Sequence, residues 1–247
     1  MTEQDRQRAI RVRLSRAESG AGRLEVMPTG FAALDAALGG GLPRGRIVEL
    51  FGPSSCGKTT LALQTAAHLQ GGGLTVGWID ADHTFDPAYG AALGVSIERL
   101  VALQPACAEE ALEMARRLAA SAAVDLLVVD SAAALVPRLE LETGIGESGY
   151  GLQARVLASG LRRLAAEASR AGAAALFVNQ LRGRPESAEE ETTAGGPALK
   201  LYAAARIGLR PAPGARVRFR ILKNKAARPF AGGELRWTGP GGFAESP

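Results

Sequence analysis

Cysteine and histidine are scarce in this sequence: Cys56, Cys107, His68 and His83 are the whole set in 247 residues. No CxxC pair and no histidine partner at ligand spacing is present, which excludes a structural zinc site and a disulfide scaffold. Long apolar runs are also missing. None approaches the roughly 20 residues that cross a bilayer, and the opening MTEQDRQRAIRVR is charged where a secretory signal would turn apolar. The expectation is a cytoplasmic protein with no membrane partner. No internal repeat is found, which argues against a tandem two-lobed architecture.

What remains is globular in composition, with 47% hydrophobic residues. The length suits one α/β core with small appendages and is short for two complete domains. Residues 1–27 read as a short N-terminal helix and linker, with Thr2 as its cap, Ile10 and Leu14 one turn apart, and the break SGAGR behind it. Residues 28–237 read as the core and 238–247 as a flexible C-terminal tail. Net charge is only +4, yet between Arg206 and Arg236 nine Lys or Arg stand against the single acid Glu234. Two readings of that stretch stay open: a solvated basic face, or a surface for a polyanion, either nucleic acid or phosphate.

The runs IVELF, LTVGWID, LLVVD and ALFVNQ are short, continuous and apolar, as strands covered on both faces are. Between them lie Ala/Leu-rich helical stretches such as EEALEMARRLAASAA and GLQARVLASGLRRLAAEASRAG. The alternation predicts an α/β fold: a mostly parallel central sheet flanked by helices on both sides.

The stretch GPSSCGKTT follows IVELF and precedes the helix-forming TLALQTAAHLQ. It matches GxxxxGK[ST] at Gly52, Gly57, Lys58 and Thr59. Such a loop turns its backbone N–H groups inward at a helix N-terminus, where the dipole favours an anion. Gly52, Pro53, Ser54, Ser55, Cys56, Gly57, Lys58, Thr59 and Thr60 are thus expected to cradle ATP, with Lys58 on the β and γ phosphates and Thr59 on Mg²⁺. Cys56 occupies a variable position and reads as packing. Asp130, closing LLVVD, reads as the second metal residue or as a helix N-cap. The run IDADHTFDP brings Asp80, Asp82 and Asp86 to another strand end, facing the ligand crevice of a parallel sheet, and one of them is the expected general base.

Taken in order, PTGFAALDAALGGGLPRGRIVELFGPSSCGKTTLALQ, IDADHTFDPAYGAALGV, VDLLVVDSAAALVPRLELE, ALFVNQLR, TTAGGPALKLYAAARIGL and ILKNKAARPF resemble the bacterial RecA recombinase family from Pro28 to Phe230. The resemblance implies a RecA-type P-loop NTPase core and a DNA-dependent ATPase that uses ATP and Mg²⁺. It implies single-stranded DNA as partner and self-association into a filament or ring in homologous recombination, DNA repair and the SOS response. By the same resemblance Asp82 is the catalytic acid that orients water, Asp86 and Tyr89 contact adenine, and Gln180 senses the γ phosphate. Lys223 and Lys225 reach a neighbour's ATP. The alternation of Arg216, Arg218 and Arg220 with Val217, Phe219 and Ile221 breaks at Leu222, which suggests a bulge or strand end that re-aims the two lysines. A plain exposed basic strand is the other reading. DNA contacts are implied at Arg155 and Arg162 after a first loop, and at Arg182, Gly195 and Gly196 in a second loop from Leu181 to Gly196.

Departures from the family pattern are concentrated on the DNA side. Asp82 is one methylene shorter than the family's glutamate, and a misplacement of about 1 Å costs on the order of 100-fold in rate. The second loop, RGRPESAEEETTAGG, has no large apolar side chain and carries Glu186, Glu189, Glu190 and Glu191. Pro197 removes an amide donor beside the two glycines, Leu201 stands for an interface phenylalanine, and the family's C-terminal domain is expected to be absent. A second reading follows: an accessory protein similar to the short RecA-related ImuA proteins, which support translesion synthesis and would take translesion polymerases as partners.

Overall fold

The computed structural model describes residues 24–143, 151–182 and 192–245. The expected N-terminal helix and parts of the two loops expected to contact DNA, including Glu186, Glu189, Glu190 and Glu191, lie outside them. The end of the expected linker forms β1 (Val26–Met27), which pairs antiparallel with β2 (Leu42–Pro43) around α1 (Ala32–Leu38).

The first glycine-punctuated apolar run becomes β3 (Ile47–Gly52), and α2 (Lys58–Gly71) follows the phosphate loop. Then come β4 (Val76–Asp80), α3 (Pro87–Ala92), β5 (Leu100–Leu103), α4 (Ala108–Ala120), β6 (Leu126–Asp130) and α5 (Arg138–Glu142). The chain continues through α6 (Leu152–Ala171), β7 (Ala174–Arg182), β8 (Thr192–Thr193), α7 (Ala198–Tyr202) and β9 (Ala205–Ala212). It closes with β10 (Arg216–Asn224), β11 (Gly232–Trp237) and β12 (Phe243–Glu245). The main sheet runs β12-β11-β10-β9-β3-β7-β6-β4-β5, with β8 paired to β7 off that path. From β9 to β5 every neighbour is parallel; from β9 to β12 every neighbour is antiparallel.

Every residue of β3, β4 and β6 is buried, which explains their unbroken apolar runs: helices cover both faces. On one face Val48, Leu50, Trp78 and Val128 pack with Leu61, Leu63 and Leu69 of α2 and with Phe243 of β12. On the other, Ile47, Ile79, Val129 and Phe177 pack with Leu112 of α4 and Leu157, Leu161 and Leu164 of α6. The spacing of those three α6 leucines is one helical stripe, and each fully buried leucine stabilises the fold by about 1.5–3 kcal/mol. In β10 the Arg216, Arg218 and Arg220 side chains are exposed while Val217, Phe219 and Ile221 are buried. The pairing with β9 slips between Ile221 and Lys223, a bulge at the expected parity break.

The C-terminal segment corrects the sequence expectation. Residues 238–245, expected to be a flexible tail, form a 3₁₀ turn at Gly239–Gly241 and then β12, which pairs with β11. The cause is Phe243, 4% exposed, which drops into the core beside α2.

Candidate nucleotide site

The phosphate loop spans the gap between β3 and the N-terminus of α2. Gly57 caps that helix with φ of 85°, a left-handed conformation that disfavours any side chain. Ser55 shares it at φ 57°. Ser54, Ser55 and Thr59 are exposed, whereas Gly52, Cys56, Lys58 and Thr60 are buried and Pro53 is half-buried. The Cys56 Sγ lies 4.0 Å from Lys58 Nζ, and burial pushes its thiol pKa up, in keeping with a packing role. Lys58 Nζ donates to the Pro53 carbonyl at 2.7 Å, folded back across its own loop. The loop opens on a cavity of about 530 Å³ whose far wall includes Pro211, Ala212, Val217, Trp237 and Phe243. That volume suits a nucleotide-sized ligand.

At and beyond the carboxyl end of β4, three acids that look equivalent in sequence take different positions. Asp80 is buried and accepts from Thr84 N (3.0 Å), Phe85 N (3.2 Å) and Gln104 Nε2 (2.9 Å). Its carboxylate shapes the turn after β4. Asp86 caps α3, accepting from Ala88 N at 2.8 Å and Tyr89 N at 3.3 Å. Asp82 is exposed and touches Ser131, whose hydroxyl donates to its Oδ2 at 3.3 Å. Of the three, Asp82 is the one whose carboxylate bonds no backbone N–H among the described residues, and its charge acts on Asp130.

Asp130 accepts from the Thr59 hydroxyl at 2.7 Å, so the metal candidates are neighbours. Burial raises the Asp130 pKa, the Thr59 bond opposes, and the Asp82 and Asp80 charges add to the rise, which brings it to about 6. Hydroxyl and carboxylate are hard oxygen donors, and the surplus negative charge calls for a cation, so the pair fits Mg²⁺. Among the described residues no group of three or more His, Cys, Asp or Glu is placed to hold a metal ion. The N-cap reading of Asp130 finds no support, since no side-chain cap is seen on the 3₁₀ turn that follows it.

The remaining expected residues lie around this centre. Tyr89 shares a 2.8 Å hydroxyl contact with Thr60 and so stands over the start of α2. Gln180 is the register partner of Gly52 at the end of β7, with an exposed side chain. Lys223 is tied to α7, donating to the carbonyls of Lys200 (2.7 Å) and Leu201 (3.1 Å), and Lys225 is exposed beyond it. Neither lysine bonds the phosphate loop of its own chain. Arg155 and Arg162 are exposed on α6, Arg162 bonding the Tyr202 hydroxyl at 3.2 Å, and Arg182 is exposed at the end of β7. Gly195, at φ 81°, sits so close to α6 that a Cβ there would come within 2.2 Å of Leu157, and Gly196 follows beside Ala154. The two glycines thus join Arg155 at one end of α6. Pro197 heads α7, where a missing N–H costs nothing, and Leu201 is 67% exposed.

Three residues to which the sequence reading gave no role complete the site. Gln64 of α2 grips the C-terminal segment: its Nε2 donates to Phe243 O (2.9 Å) and Gly241 O (3.3 Å), and its Oε1 accepts from Phe243 N (2.8 Å). Trp237 packs edge-on against Phe243, with ring centroids 5.2 Å apart. Their one sequence signal is an aromatic pair flanking GPGG, which reads equally as a turn.

No helix among the described residues is long and apolar enough to cross a membrane. The family model described as RecA N-terminal domain matches residues 7–238. The chain is 45% identical over 224 residues to Protein RecA of Gloeobacter violaceus, covering 86% of this chain and 61% of that one. It is 47% identical over 226 residues to Protein RecA of Thermus thermophilus, covering 86% and 66%. To Protein RecA of Bifidobacterium longum it is 47% identical over 229 residues, covering 86% and 56%. The chain therefore spans about three-fifths of the length of these relatives. A phosphate loop, a strand-end aspartate bonded to its threonine and a matching sheet are shared by many nucleotide-binding folds, but with the family match over nearly the whole core they place this chain in the RecA family.

Proposed function

We propose that the chain is a DNA-dependent ATPase of recombination and repair, which binds single-stranded DNA and assembles with copies of itself. The observation that carries the reading is the Thr59–Asp130 pair beside an open phosphate loop, with Asp82 bonded to Ser131, the residue next to Asp130. In this reading the loop amides and the α2 N-terminus hold the β phosphate, and Lys58 leaves the Pro53 carbonyl for the β and γ oxygens. Thr59 and Asp130 hold Mg²⁺, which neutralises charge on the phosphates when bound. Asp82 orients the attacking water, kept in place by Ser131. Asp86 and Tyr89 border the base, and Gln180 senses the γ phosphate. Arg155, Arg162, Arg182 and the amides of Gly195 and Gly196 hold DNA phosphates, contacts that give affinity without sequence preference. Lys223 and Lys225 act on a neighbour's nucleotide. The relatives' shared name favours this reading over the accessory one, and nothing favours translesion polymerases as partners.

The deciding experiment is steady-state ATP hydrolysis with and without single-stranded DNA. Stimulation of about tenfold or more is expected; equal rates would sink the proposal. In the same assay Asp82→Glu should raise stimulated turnover by about tenfold, because the added methylene restores reach. ATP affinity should stay within twofold. A lower turnover would mean that the crevice is fitted to the shorter acid.

A pH dependence follows from Asp130. Its folded pKa of about 6 exceeds the ordinary 3.8, so in the absence of nucleotide this group adds stability as pH falls from about 6 towards 4. Mg²⁺ needs the ionised form. Mg-ATP affinity should therefore weaken by about tenfold between pH 7 and pH 5, and Asp130→Asn should bind weakly at both. Calorimetric titration at the two values tests this, and a flat profile in the unsubstituted protein would contradict it.

A further inference from the structure

A polar layer crosses the sheet where the sequence reads as core. Glu49, in the middle of IVELF, is wholly buried, as is Asn179 on β7, and Arg206 on β9 is 4% exposed. Glu49 accepts from Arg206 Nε on one oxygen and from Asn179 Nδ2 on the other, at 2.9 Å. Asn179 Nδ2 also donates to the Ala194 carbonyl (3.1 Å), and its Oδ1 accepts the Gln180 N–H (2.8 Å). The Ala194 N–H in turn donates to the Gln180 carbonyl at 3.0 Å. On the other side the Arg206 guanidinium lies 4.5 Å over the Phe51 ring, and Arg206 pairs in register with Lys223, just past the bulge in β10.

This layer is a poor device for stability alone. A buried ion pair gains little over apolar residues of the same volume, and Arg206 Nη2 is buried with no hydrogen-bond partner among the described residues. What the layer does supply is connection. One carboxylate ties together the strand end that carries Gln180, the return segment at Ala194 and the β9–β10 pair that carries Lys223. Its charge is felt at the far end: burial, Lys225 and Arg206 lower the Lys223 pKa while Glu49 opposes them.

We propose that Glu49 is a positioning residue for nucleotide turnover: through Asn179 and Arg206 it holds Gln180, Ala194 and the lysine-bearing end of β10 in one arrangement, so that DNA held at the first two alters turnover through the third. The proposal rests on the ATPase reading above for its functional half, and on the hydrogen-bond geometry for its structural half.

Two variants of the full chain test it. Glu49→Gln keeps the shape and removes the charge. Glu49→Leu with Arg206→Met replaces the pair by apolar residues and is expected to fold even where the single variant does not. In Glu49→Gln, hydrogen exchange followed by mass spectrometry should rise by about tenfold in 176–182, 192–196 and 220–226 together, with 126–130 unchanged. Stimulation of hydrolysis by single-stranded DNA should fall about fivefold or more while nucleotide affinity stays within twofold. The double variant should regain the thermal midpoint and still lack stimulation. Recovery of both in the double variant would reduce the pair to a structural one and overturn the proposal, as would exchange that rises in one of the three segments alone. If the unsubstituted protein shows no stimulation, it is the ATPase reading that fails, and the exchange pattern by itself decides whether Glu49 couples the three segments.

Discussion

Replacing Lys58 with alanine should weaken Mg-ATP binding by about 100-fold or more, because each charge-assisted bond to phosphate contributes about 1.5–3 kcal/mol and the ammonium would serve two phosphates. The fold should tolerate the change. Lys58 is 8% exposed, but its one close bond is to the Pro53 carbonyl, at a loop open to water. Fluorescence titration with a labelled nucleotide, alongside thermal melting, separates the two effects. Undiminished affinity with an unchanged melting midpoint would remove the phosphate-loop assignment, and with it the site as drawn.

Phe243→Ala should be the most destabilising single change outside the central strands. The ring is 4% exposed and lies so close to the loop that a Cβ on Gly57 would come within 2.3 Å of it. Truncating a buried phenylalanine costs about 3–5 kcal/mol, and in a chain of this size each kcal/mol lowers the melting midpoint by about 2–4 °C. Nucleotide affinity should fall as well, since Phe243 backs the residue that fixes the left-handed start of α2. Gln64→Ala removes three hydrogen bonds to the same segment, and its smaller loss, about 1–3 kcal/mol, should point the same way. A Phe243→Ala protein that melts like the parent would mean that β12 does not share the core.

Four of the parallel strands, β3, β4, β6 and β7, and the phosphate loop were legible in sequence because their determinants are local, whereas β5 and β9 were not singled out. An apolar run, a glycine-rich turn and a helix-forming stretch lie within 25 residues of one another around Lys58. The bulge in β10 was legible for the same reason, as a break in a period of two. The C-terminal segment was not, because nothing local orders it: GPGGF is turn-like, and its partners Gln64 and Gly57 come about 180 residues earlier. Nor could local pattern rank Asp80, Asp82 and Asp86, which only the family resemblance set apart. Their roles depend on which backbone N–H groups and which glutamine face each carboxylate, and Gln104 reaches Asp80 from another strand end. Glu49 was hidden by its company, since one acid in an apolar strand gives no periodic signal. The family resemblance supplied Gln180, Lys223 and Lys225, whose roles no local pattern dictates.

The position of β3 at the centre of the sheet has a consequence for how the chain comes to be folded. Both of its neighbours are encoded far downstream: β7 begins at residue 174 and β9 at residue 205. During synthesis the strand that leads into the phosphate loop therefore has no native partner on either edge until most of the chain has left the ribosome. At about 5–20 residues per second that interval is on the order of 10–30 s. An apolar strand with two open edges is a template for pairing with other chains, and closure over so long a loop is slow. Production should accordingly be limited by aggregation of incomplete chains rather than by the stability of finished ones, and slower growth at low temperature or extra chaperone should raise soluble yield without changing the melting midpoint.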